Sequence, residues 1–137
     1  MTVKTNISDL GGVGPTFAAQ LAKAGVETTQ SMLSKGKTRE GRTQIATKSG
    51  CSEAQVLRWV HLSDLVRVDG VGTQFADLLE ASGVGTVKEL GTRVPASLLE
   101  SMTKLNAEKS LVGSLPADTQ VSAWIESAKT LSPSVEF

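Results

Sequence analysis

The stretch Ile7-Ser-Asp-Leu-Gly-Gly-Val-Gly-Pro-Thr-Phe-Ala-Ala-Gln-Leu-Ala-Lys-Ala-Gly-Val-Glu-Thr28 recurs 58 residues later as Leu65-Val-Arg-Val-Asp-Gly-Val-Gly-Thr-Gln-Phe-Ala-Asp-Leu-Leu-Glu-Ala-Ser-Gly-Val-Gly-Thr86. Nine aligned pairs are identical, among them Gly12/Gly70, Val13/Val71, Gly14/Gly72, Phe17/Phe75 and Gly25/Gly83. Self-similarity at a fixed spacing sets the architecture ahead of any local signal. It predicts two related units, 1–64 and 65–137.

Within each copy the apolar spacing is helical. Phe17, Ala18, Leu21 and Ala22, and Phe75, Ala76, Leu78 and Leu79, fall on one face of a short helix. Pro15 suits a first helical turn, where its missing N–H costs nothing. Gly25 and Gly83 follow as left-handed C-terminal caps. Thr86-Val-Lys-Glu89 reads as a capping box, and Thr28 stands at the matching place with a weaker one.

The likeness continues further along. Gln55-Val-Leu-Arg-Trp59-Val60 matches Gln120-Val-Ser-Ala-Trp124-Ile125, with about seven extra residues in the second copy. Ser52 to Gln55 caps the first of these helices and Pro116 to Thr119 opens the second. Both tryptophans lie on apolar faces, where an indole anchors a core. No stretch alternates as a strand does. The expectation is therefore all-α. Each unit has a short lead helix, a glycine turn, a second helix, a connecting helix and a Trp-bearing closing helix. The two are expected to form one compact body with approximate two-fold internal symmetry. Gly36 and Gly41 predict a loop-like start to the connecting segment, and Ser132 to Phe137 a frayed tail.

Composition narrows the function classes. Of 137 residues, 39% are apolar and 20% charged, with one Cys and one His, so neither an internal disulfide nor a cysteine-built zinc centre is available. No apolar run reaches the roughly 18 residues of a membrane span, and the first residues lack a signal peptide's hydrophobic stretch. These features point to a reducing, cytoplasmic setting with no membrane partner. The net charge is zero, yet residues 1–64 hold eight Lys/Arg against five Asp/Glu, whereas 65–137 hold six against nine. A polyanion would meet the first half.

Gly12-Val13-Gly14 and Gly70-Val71-Gly72 each precede a helix. Glycines there permit positive φ and close approach, and amides gathered at a helix start suit phosphate. Thr16 and Lys23 accompany the first turn, which has no acidic residue from Gly11 to Ala24. The densest basic stretch follows: Lys35, Lys37, Arg39, Arg42 and Lys48, interrupted by Glu40. Together these residues form the candidate nucleic-acid surface. Gly70, Val71, Gly72 and Thr73 form a weaker one, because Asp69, Asp77 and Glu80 stand nearby.

Leu10-Gly-Gly-Val-Gly-Pro and Val68-Asp-Gly-Val-Gly-Thr resemble the helix-hairpin-helix signature, an apolar residue followed two residues later by Gly-Val-Gly and a helix carrying an aromatic and Ala. Over nearly its whole length the chain resembles a bacterial family of unknown function, DUF4332, built from two such units. Supporting phrases are Met32 to Arg42, Leu57 to Val60, Leu78 to Val84 and Trp124 to Lys129. The resemblance implies sequence-independent contact with the DNA backbone. It also implies, in some members, a monovalent cation held by hairpin carbonyls; no other cofactor is expected.

The leading expectation is non-enzymatic, nonspecific binding of duplex DNA through loop amides and the basic segment. Neither hairpin helix carries the Asn, Gln or Arg cluster that base reading needs. The alternative is a protein-interaction or scaffold module whose partner meets the acidic second half. Catalysis is not expected. A base-excision glycosylase would need a further Asp in a Gly/Pro-rich loop and a second domain for the flipped base, but residues 34–50 contain neither Asp nor Pro.

Overall fold

The computed structural model describes residues 6–131 and Val135. Among these, every regular element is helical and none is a strand, so the chain is all-α. The expected frayed tail falls outside the described residues apart from Val135. Residues 6–64 and 65–131 form two compact units.

In the first unit a 3-10 turn at Ile7–Asp9 leads into α1 (Gly14–Ala22), α2 (Thr29–Gly36), α3 (Arg39–Ser49) and α4 (Glu53–Leu65). Gly25 takes a φ of 77° after α1, the left-handed turn its position predicts. Thr28 then caps α2, its Oγ1 accepting from the Ser31 N–H at 3.1 Å while Ser31 Oγ accepts from the Thr28 N–H at 3.0 Å. Ser52 and Gln55 form the same reciprocal pair at the start of α4.

The connecting segment departs from expectation. It is two helices, and neither Gly36 nor Gly41 opens a loop. Gly36 is the buried last residue of α2, and a Cβ there would lie 2.5 Å from Val60 Cγ2. Its bare backbone thus lets α2 press onto α4. Gly41 sits in the first turn of α3 against the Lys35 carbonyl. Thr38 starts α3 by accepting from the Gly41 N–H at 3.0 Å.

The second unit contains α5 (Thr73–Ala81), α6 (Val87–Leu90), α7 (Pro95–Lys109) and α8 (Asp118–Thr130). The expected lead helix is here only turns, with the Val68 N–H donating to the Leu65 carbonyl. Gly83, at φ 93°, closes α5. Thr86 caps α6 by accepting from the Glu89 N–H at 3.2 Å. The extra length of this half lies in α7 and the turn after it. Asn106 holds that turn, its amide donating to and accepting from the backbone of Val112.

The expected core residues Leu21, Val56, Trp59, Leu79, Val121 and Trp124 are all buried. Phe17 and Phe75 are half-buried, and each packs its ring on a tryptophan. The centroids are 5.4 Å apart for Phe17 and Trp59, and 5.1 Å for Phe75 and Trp124. Tilted aromatic pairs at this distance add about 0.5–1.5 kcal/mol beyond their burial.

Candidate nucleic-acid interface

Val13 anchors the first glycine loop: it is buried, and its N–H donates to the Leu10 carbonyl at 3.2 Å. That bond bends the chain so that Gly12 and Gly14 both take positive φ, 83° and 60°. The N–H groups of Gly12 and Gly14 have no acceptor among the described residues. A Cβ on Gly14 would meet nothing within 4 Å, so that backbone is open to an incoming group. Thr16 is exposed in the first turn of α1. The loop can therefore offer the amides of Gly12 and Gly14, on either side of Val13, to an anion at a helix start.

Arg58 is the residue that sequence reasoning missed. Its Nη1 donates to the Gly11 carbonyl at 2.8 Å and lies 3.5 Å from where a Gly12 Cβ would be. The guanidinium thus lies against the glycine loop, carried by α4 and flanked by the buried Trp59. A signal existed: the aligned copies read Leu57-Arg-Trp59 and Ser122-Ala-Trp124, so only the first carries a cation beside its tryptophan.

The basic stretch is not one surface element. Lys23 follows α1 directly and Lys35 Nζ packs over Gly25. Both lie at the C-terminal end of α1, roughly 13 Å along its nine residues from the glycine loop. Arg39 lines a groove of about 360 Å³ with Arg42, Glu53, Ala54 and Leu57. Ala54 and Leu57 lie on α4 at i, i+3 of the turn that precedes Arg58. Lys37 and Lys48 are exposed at the two ends of α3.

Arg42 is a correction. Expected among the phosphate-facing cations, it is only 5% exposed, and its Nη1 donates to the carbonyls of Gly36 at 2.9 Å and Lys37 at 3.1 Å. Those carbonyls end α2, and a guanidinium is well placed to satisfy them. Burial, and then the neighbouring charge of Arg39, push its pKa below the usual arginine value. With Ile45 and Ser49 it forms the inward stripe of α3.

Among the described residues no carboxylate pairs with Lys23, Lys35, Lys37, Arg39 or Lys48. In the second unit Arg93, Lys104 and Lys129 each sit beside a glutamate of the same segment, at 3.8, 3.2 and 3.0 Å. The second loop has Gly70 at φ 89°, and a Cβ there would lie 3.1 Å from Trp124 Nε1. Gly72, however, is extended at φ −84° and serves as N-cap of α5. Val71 is buried, Thr73 half-buried, and Asp69 exposed beside the turn.

Among the described residues no group of three or more His, Cys, Asp or Glu is placed to hold a metal ion. No described helix is long and apolar enough to cross a membrane.

No curated protein and no solved structure matches the chain. The model of the family described as a domain of unknown function (DUF4332) matches residues 11–131. Spanning the glycine loops, the basic helices and both tryptophans, that match makes the chain a member of the DUF4332 family.

Proposed function

We propose that the first unit is a helix-hairpin-helix module that binds the backbone of nucleic acid, duplex DNA first, without sequence preference and without catalysis. The observation that carries this is the pair of Gly12 and Gly14 amides, lacking acceptors among the described residues and standing beside Arg58. Two donors at a helix start hold one phosphate, and the exposed Arg39, Lys23 and Lys35 would meet further ones. The unpaired state of these cations supports the assignment, since phosphate then displaces no existing ion pair.

For the second unit we propose contact with a protein partner. Its loop has Asp69 where the first has Gly11, and Ala123 where the first has Arg58. Val94, 63% exposed, stands at a groove with Ser97, Leu98 and Ser101.

Anisotropy of a labelled duplex at two salt concentrations tests the first proposal. The Kd should lie near 10⁻⁴–10⁻⁶ M at physiological salt and rise steeply with salt. Reversing Lys23, Lys35 and Arg39 to Glu should abolish binding, and reversing Lys104, Lys109 and Lys129 should leave it intact. Arg42 is left out because its loss would disturb α2. No binding at low salt would transfer the chain to the protein-interaction class, and equal loss from both triple variants would refute the placement of the surface.

A further inference from the structure

Both tryptophans turn the same edge toward a glycine. Of the Trp59 atoms only Nε1 comes within 4 Å of the space left by the missing Gly12 Cβ, at 4.0 Å. Trp124 faces Gly70 in the same way, with Nε1 at 3.1 Å. The side chains are otherwise inside, Trp59 2% and Trp124 3% exposed. A buried indole N–H ordinarily finds an acceptor, because leaving it unpaired forfeits its hydration. Neither indole has one among the described residues.

At the first loop the space over Gly12 is a notch with two donors on its rim. Arg58 Nη1 lies 3.5 Å from the missing Cβ, beyond which stands Trp59 Nε1. The Arg58 nitrogen is fixed there by its bond to the Gly11 carbonyl, and the indole by the Phe17 ring against it. Gly12 is exposed at φ 83°, a conformation that favours glycine and so keeps the notch clear of a side chain.

We propose that the Trp59 indole N–H is a third donor of the first loop, meeting a phosphate oxygen seated in the notch over Gly12. The inference rests on the phosphate reading of that loop and adds a side chain that touches the ligand. An indole offers a donor and no acceptor, and it is uncharged. It therefore strengthens the hold on a phosphate without adding to the salt dependence that cations bring.

The chain has two tryptophans, so the ¹⁵N-labelled full-length protein gives two indole N–H resonances, assigned with Trp124→Phe. Inorganic phosphate replacing chloride at constant pH and ionic strength should shift the Trp59 resonance saturably, together with the Gly12 and Gly14 amides. The Trp124 resonance should stay in place, since its loop has Asp69 for Gly11 and Ala123 for Arg58. A Trp59 resonance that ignores phosphate overturns the proposal. An equal response from both indoles does so too, because it would owe nothing to the notch.

Duplex DNA supplies the second readout. Trp59→Phe keeps an aromatic ring beside Phe17 and removes the donor. It should raise the duplex Kd about ten-fold, the scale of one hydrogen bond to a charged group, and leave the slope of log K against log salt unchanged. An unchanged Kd overturns the proposal. Should this variant fail to fold, the wild-type indole is followed through the duplex titration instead. Shifts at Gly12 and Gly14 with none at Trp59 then overturn the role of the indole while the functional reading stands. A wild type that binds no duplex sinks the functional reading, and the phosphate titration still decides the role of Trp59.

Discussion

At the first glycine loop Trp59 stands behind Gly12 and Phe17 leans on the indole; at the second, Trp124 stands behind Gly70 and Phe75 leans on it. The frame is shared down to ring distances within a few tenths of an ångström. The chemistry is not. The first loop has Arg58 on its carbonyl and Gly14 at φ 60°, while the second has Asp69, Ala123 and an extended Gly72. The same aromatic frame thus carries an arginine at one glycine loop and an alanine at the matching place of the other.

The largest effect tests the shared frame. Trp59→Ala and Trp124→Ala should each cost roughly 3–5 kcal/mol, because truncating a buried aromatic leaves a cavity. Urea midpoints check this, and a loss in only one variant would show that the frames are not equivalent. Next in size, Arg42→Ala should cost about 1–3 kcal/mol by leaving the Gly36 and Lys37 carbonyls without their donor. Thermal melts showing no loss would restore Arg42 to the solvent-facing cations.

A smaller difference sharpens the contrast between the loops. Gly14→Ala puts a side chain into a left-handed position and should cost about 1–2 kcal/mol. Gly72→Ala, at an extended N-cap, should cost about 0.5 kcal/mol. Equal costs from chemical denaturation would mean that the two turns are alike in solution. Smallest in stability, Arg39→Ala should stay within about 0.5 kcal/mol of the wild type. It should nonetheless flatten the slope of log K against log salt for duplex binding by about 0.9, one phosphate contact fewer. An unchanged slope would remove Arg39 from the interface.

The features legible in the sequence are those decided locally. Gly25 and Gly83 cap by their own φ, Thr28 and Ser52 by bonds three residues long, and the tryptophans by apolar neighbours one turn away. The break between α2 and α3 escaped because Gly36 and Gly41 resemble loop formers in isolation. Only the approach of Val60 and the Lys35 carbonyl shows that bare backbone is needed inside helices there. Arg42 was misassigned for a related reason. A basic run has no inherent inside, and although Arg42 shares a face with Ile45 three residues on, its charge reads as solvent-facing until the free carbonyls at the end of α2 are brought to it. Arg58 lies 47 residues from the carbonyl it meets, so local pattern could not place it, and only the Arg58/Ala123 mismatch between copies hinted at a difference.

The indoles have one more consequence. The chain contains two tryptophans and no tyrosine, so its near-ultraviolet absorption and intrinsic emission come almost wholly from two chromophores, each seated against one glycine turn. Replacing either by phenylalanine leaves a chain with a single native fluorophore that reports on one hairpin alone. Quenching and emission wavelength can then follow each loop separately as salt, ions or oligonucleotides are added, with no dye attached.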